Sequence, residues 1–165
     1  MLRVFSCYYW PMTKTVSSIK ELRTVAKGFL SVLAKSPESS RAVLVGLSGD
    51  LGAGKTAFTK CVAEVLGIAD TVTSPTFVLE KRYDIPHGSL VGGRFTKLIH
   101  VDAYRLYKGE EMKALDWEGT LADGHNLILL EWPEQVSEAL PKNTLQISFE
   151  YVDDSVRRVS GDYIK

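Results

Sequence analysis

Apolar residues recur along this chain with two periods, and the switches between them mark out an alternating layout of helices and strands. Ile19, Leu22, Ala26, Phe29, Leu30 and Leu33 fall at helical spacing behind the capping box Ser18-Ile19-Lys20-Glu21, which predicts an amphipathic helix over residues 18–34. After the loop KSPESS, RAVLVGLS (41–48) is a continuous apolar run between turn residues, as expected of a strand buried on both faces of a parallel sheet. A second helix carries Phe58, Cys61, Val62, Val65 and Leu66 on one face and ends on Gly67, a natural C-cap. TVTSPTFVLEKRYDI reads as a loop held open by Pro75 and then a strand from about Phe77 to Tyr83. PHGSLVGGR is rich in turn residues, and TKLIHVDAYRL is the returning strand, which makes 77–106 an antiparallel hairpin. GEEMKALDWEGTL is a short acidic helical stretch, NLILLE a second buried strand, and TLQISFEYV a strand with Leu145, Ile147, Phe149 and Tyr151 on one face.

These elements predict a three-layer α/β domain with a mixed sheet, parallel at its centre and antiparallel at the hairpin. With 165 residues and no repeat or low-complexity run, residues 15–165 form one domain. The opening MLRVFSCYYWPM lacks the long apolar segment and cleavage site of a signal peptide. Residues 1–14 therefore read as a poorly ordered leader or an extra edge strand, with Met12 as an alternative start.

Charge then narrows the partners. Twenty basic residues balance twenty acidic ones, and a chain that clamps nucleic acid unaided usually carries a basic excess, so direct RNA or DNA binding is disfavoured. Cys7 and Cys61 show no ligand spacing, which fits a reducing cytoplasm rather than a disulfide or zinc framework. No stretch approaches the roughly 20 apolar residues of a membrane span.

The chemistry begins where the first buried strand meets the second helix. Gly49-Asp50-Leu51-Gly52-Ala53-Gly54-Lys55-Thr56 satisfies G-x-x-x-x-G-K-[ST], with the strand and helix that this phosphate loop requires on either side. Its glycines let successive backbone N–H groups turn inward as a nest for anions, and the helix N-terminus adds positive potential. Lys55 brings a full charge to the β- and γ-phosphates, and the Thr56 hydroxyl is a Mg2+ ligand. Such a site also needs carboxylates, and two acids end apolar strands, Asp102 in LIHVD and Glu131 in LILLE. Ser74 and Thr76 flank Pro75 in TSPTF, a segment with the make-up of a γ-phosphate switch or of an ordinary turn. His100 has no partner identifiable along the chain and reads as a packed strand residue.

Taken in order, GDLGAGKT, SPTF, HVDAYRL and EWPE resemble the TsaE (YjeE) family of small bacterial P-loop ATPases, over about residues 44–133. The resemblance implies a P-loop NTPase-like fold and a role in threonylcarbamoyl modification of adenosine in ANN-decoding tRNAs. It implies action on the TsaB–TsaD pair, with tRNA met only indirectly, and ATP/ADP and Mg2+ as ligands, with hydrolysis slow alone and faster in the complex. Residues 49–57, from Gly49 to Ala57, with Ser74, Thr76 and Trp132 would then contact the nucleotide. Thr56, Asp102 and Glu131 would hold the metal, and Lys55, Asp102 and Glu131 would carry the catalysis.

The chain departs from the family pattern in places. Ala57 stands where a hydroxyl residue is common, Asp116 where a Gly is common, and Leu22 where the first helix often has Thr. The hairpin loop at 85–97 is long, and Arg157-Arg158 matches a family arginine only roughly. Two other readings stay open, a small-molecule kinase and a nucleotide sensor that does not hydrolyse. The first is disfavoured because only Arg82, Arg94 and Arg105, widely separated, lie between the loop and Glu131.

Overall fold

The computed structural model describes residues 12–91 and 93–163. Most of the expected leader, including Cys7, lies outside the described residues; Met12–Val16 forms strand β1. Helix α1 (Ile19–Leu33) begins where Ser18 Oγ accepts the Glu21 amide at 3.2 Å. The reciprocal half of the capping box is shifted by one residue, because the Glu21 carboxylate takes the Ser17 amide at 2.7 Å instead. Strand β2 (Val43–Ser48) feeds the phosphate loop, and helix α2 (Lys55–Leu66) follows it. Gly67, at φ 76, closes α2, where the Ile68 amide reaches back to the Ala63 carbonyl at 3.0 Å.

The strand expected from Phe77 starts later, as β3 (Glu80–Asp84). The amides of Val78 and Leu79 both donate to the Pro75 carbonyl, so a turn consumes the groups a ladder would need, and Leu79 sits at φ 65. Strand β4 (Lys97–Asp102) returns antiparallel to β3 as the hairpin predicts. The acidic stretch resolves into a 3-10 segment, Gly109–Leu115, and helix α3 (Trp117–Ala122). Asp116 between them has φ 50, a left-handed conformation that Gly adopts freely and Asp tolerates. Strand β5 (Asn126–Glu131), a 3-10 segment Pro133–Ala139, and strands β6 (Leu145–Tyr151) and β7 (Arg157–Gly161) complete the chain.

The seven strands form one sheet in the order β1-β7-β6-β2-β5-β4-β3. Its centre, β6-β2-β5-β4, is parallel, while β3 at one end and β7 with β1 at the other are antiparallel. Two apolar clusters cover the two faces. Leu98, Leu127 and Leu129 pack with α1 and α2, and Ile99, Val101, Ile128 and Leu130 pack with Met112, Trp117 and Val136 on the other side. Under the first layer, Phe58 meets Phe29 at 5.8 Å and Phe149 at 5.5 Å between ring centroids. Among the described residues no helix is long and apolar enough to cross a membrane.

Candidate phosphate-binding and acidic site

The loop joining β2 to α2 takes its shape from glycines. Gly49, Gly52 and Gly54 have φ 138, 76 and 115, and a Cβ at Gly49 would stand 2.3 Å from the Phe149 carbonyl oxygen. Only Gly fits that first position, which bends the chain from the sheet into the loop. The first amides of α2 have no carbonyl within the helix to bond, so their N–H groups and the helix dipole face the loop's concave side.

Lys55 opens α2 and is 4% exposed. Its Nζ donates to the carbonyls of Gly49 and Asp50 and lies 3.8 Å from the centre of the Trp132 ring. Burial pushes the Lys55 ammonium below the usual lysine value, while the carboxylates of Glu131, Glu134, Asp102 and Asp50 pull the other way. Trp132 reaches this position through a left-handed backbone, φ 61, directly after β5, and its ring also meets Tyr104 at 5.2 Å.

The two acids end neighbouring parallel strands in register, Asp102 opposite Glu131. Two-residue alternation puts Leu98, His100 and Asp102 of β4 on the α2 side, with Leu127, Leu129 and Glu131 of β5. Glu131 is 3% exposed; its Oε1 accepts from Thr56 Oγ1 at 2.8 Å, and its Oε2 lies 3.1 Å from the same hydroxyl. Asp102 is engaged from the other side by the switch-like segment. Its Oδ2 accepts from the Thr76 hydroxyl and from Ser74 Oγ at 3.3 Å, and its Oδ1 takes the Tyr104 amide at 2.9 Å. Ser74 and Thr76 themselves are 2.6 Å apart, hydroxyl to hydroxyl.

A cavity of about 360 Å3 at this end of the sheet is lined by Leu51, Gly52, Gly54, Lys55, Thr56 and Ala57 from the loop and α2. Ser74, Thr76, Asp102, Tyr104, Glu131 and Trp132 line its other side. Of the residues expected to contact a nucleotide, Gly49, Asp50 and Ala53 are not in this lining. The first two offer carbonyls to Lys55, and Ala53 is turned into the core at 1% exposure. Arg157 and Arg158 lie on β7, where Arg158 pairs with Glu150 at 2.6 Å, and neither lines the cavity.

The sequence reading missed two residues here. Tyr104 has a place through its amide and ring. His100 does have a partner, Glu131 Oε1 at 2.8 Å from its Nε2. The available signal was spacing, since His100 precedes Asp102 by two residues and so shares its face; the register with β5 was out of reach. Among the described residues no group of three or more His, Cys, Asp or Glu is arranged to cage a metal. The donors present, a threonine hydroxyl and two carboxylates, are hard oxygens that suit a Mg2+ carried with phosphate oxygens and water, so the residues fit that ion.

Comparison with known proteins agrees with this layout. The family model described as threonylcarbamoyl adenosine biosynthesis protein TsaE matches residues 16–159. A tRNA threonylcarbamoyladenosine biosynthesis protein TsaE from Streptomyces coelicolor is 43% identical over 122 residues, 71% of this chain and 77% of that protein. Its counterpart from Rickettsia bellii is 34% identical over 151 residues, 90% of this chain and 94% of that protein. The crystal structure of Bacillus subtilis YdiB aligns with a TM-score of 0.68 and 28% identity, covering 92% of this chain and 84% of that one.

Proposed function

The chain belongs to the TsaE family, which takes part in threonylcarbamoyladenosine biosynthesis on tRNA, and on that premise we propose that it is the ATP-hydrolysing subunit of that machinery, acting on the TsaB–TsaD pair. The observation that carries the reading is the convergence of the phosphate loop, Lys55, Thr56 and both strand-end acids on one cavity. Loop amides and Lys55 bind the β- and γ-phosphates, with Lys55 leaving its carbonyl partners to do so. Thr56, Glu131 and Asp102 would hold Mg2+, which when bound would neutralise phosphate charge. Glu131 orients the attacking water, and the Ser74–Thr76 segment, tied to Asp102, responds to the γ-phosphate. Trp132 and Tyr104 cover the site from the side and limit water access.

Among the described residues no arginine lines the cavity, so transition-state charge is incompletely neutralised by this chain alone. Partner binding completes or rearranges the site, and turnover by the isolated chain is accordingly slow, since one missing arginine costs roughly 10³–10⁵-fold in related chemistry. Release of phosphate from ATP, measured with and without TsaB–TsaD for wild type and Lys55→Ala, tests this. Partner-stimulated turnover that survives in Lys55→Ala removes the proposed site, and phosphorylation of a small molecule without phosphate release points to a kinase instead.

A further inference from the structure

His100 is fully buried on β4, with Leu129 directly opposite it on β5. It stands one same-face step deeper than Asp102. From there its Nε2 reaches Glu131 Oε1 at 2.8 Å, while its Nδ1 is buried with no partner among the described residues. A neutral imidazole carries one N–H. On Nδ1, that proton would be an unsatisfied buried donor, and the Nε2 lone pair would face a carboxylate oxygen. On Nε2, it makes a hydrogen bond to an anion, so the environment selects the Nε2–H tautomer. Oε1 of Glu131 then receives two donors at 2.8 Å, from Thr56 and His100, whereas Oε2 has one contact at 3.1 Å.

The two carboxylate oxygens are thus unequal before any ligand arrives. Resting on the ATPase reading above, we infer that His100 is a positioning residue: its Nε2–H commits Glu131 Oε1 to the protein scaffold and presents Oε2 to the phosphate site. Space-filling alone does not call for an imidazole at a fully buried strand position, because a polar ring costs desolvation there that an aliphatic side chain of like size does not. A carboxylate that orients a nucleophile gains from being held, since misplacement by about 1 Å costs roughly 100-fold in rate.

The test compares His100→Gln with His100→Met, side chains of similar length and volume that differ in having a donor at the end. In partner-stimulated ATP hydrolysis, His100→Met loses roughly 10- to 100-fold in kcat, the usual effect of removing a residue that orients a ligand. KM for ATP stays within about threefold of wild type, and the Gln variant keeps kcat within about the same factor because it still donates. Equal losses in both variants, or none in either, overturn the inference. A second measurement needs neither turnover nor substitution. Long-range 15N NMR of the histidine-labelled wild-type chain gives His100 as the Nε2–H tautomer, and an Nδ1–H tautomer overturns the inference. A wild type inert toward ATP even with TsaB–TsaD counts against the ATPase reading, and the tautomer still decides the His100–Glu131 bond.

Discussion

Replacing Glu131 separates the charge of this residue from its structural work, because Gln and Ala remove different things. In Glu131→Gln the amide oxygen takes the place of Oε1 and keeps both incoming bonds, from Thr56 and His100. The amide nitrogen takes the place of Oε2, 3.1 Å from Thr56 Oγ1, whose lone pairs accept from it. Each buried bond made to Glu131 keeps a partner, so stability changes by less than about 1 kcal/mol. In Glu131→Ala the His100 Nε2–H loses its acceptor inside the core, while the half-buried Thr56 hydroxyl can turn to solvent. One orphaned buried donor costs about 2 kcal/mol. In a domain of this size that lowers Tm by roughly 4–8 °C. Both variants lose the anionic oxygen, and turnover falls roughly 10²–10⁴-fold in each. Differential scanning calorimetry beside a partner-stimulated phosphate-release assay reads the two effects independently. A Gln variant with wild-type turnover refutes the role given to the charge, and Gln and Ala variants that melt together refute the account of the buried bonds.

Three further outcomes follow from the same geometry. Gly49→Ala forces a Cβ to 2.3 Å from the Phe149 carbonyl at φ 138, and urea denaturation should show a loss of about 3 kcal/mol or more, whereas Gly52→Ala, with open space around it at φ 76, loses only about 1 kcal/mol. Because burial holds the Lys55 ammonium below the usual 10.5, its charge is lost earlier as pH rises, so ADP affinity begins to fall at lower pH than an ordinary lysine would allow. Calorimetric titrations at increasing alkalinity should show that fall in wild type and a flat profile in Lys55→Arg, whose guanidinium stays charged; parallel profiles would sink the explanation. Arg94 donates to the carbonyls of Leu33, Ser36 and Pro37 at the end of α1, far from the cavity. Arg94→Ala should speed hydrogen exchange in the last turn of α1 and cost about 2 kcal/mol while leaving nucleotide affinity unchanged.

Local physics was legible in the sequence. The phosphate loop is eight contiguous residues whose path is set by glycine dihedrals, so its motif carries its geometry wherever the flanking strand and helix form. Helices α1 and α2 and the strands β2 and β5 came from apolar periodicity, which depends only on neighbours along the chain. Strand β7 did not, because RRVSG is short, mostly polar and stabilised by pairing with β6 and β1 rather than by its own pattern. The start of β3 was misjudged because two amides go to Pro75 instead of to a ladder, a choice that residue types alone do not reveal.

The constellation around the acids belongs to the tertiary structure. Alternation said that His100 and Asp102 share a face, but the neighbour across that face depends on how β4 sits against β5, about thirty residues away in sequence. A slip of one residue would have turned either set of side chains to the opposite layer. The observed register is set by two apolar clusters packing on both faces at once, and it brings Asp102 level with Glu131 and leaves His100 beneath. Likewise, Trp132 lies over Lys55 only because its backbone turns left-handed on leaving β5, where its amide bonds the Leu47 carbonyl at 3.2 Å. The chain's own order named the candidate site residues; packing between distant strands decided which of them touch.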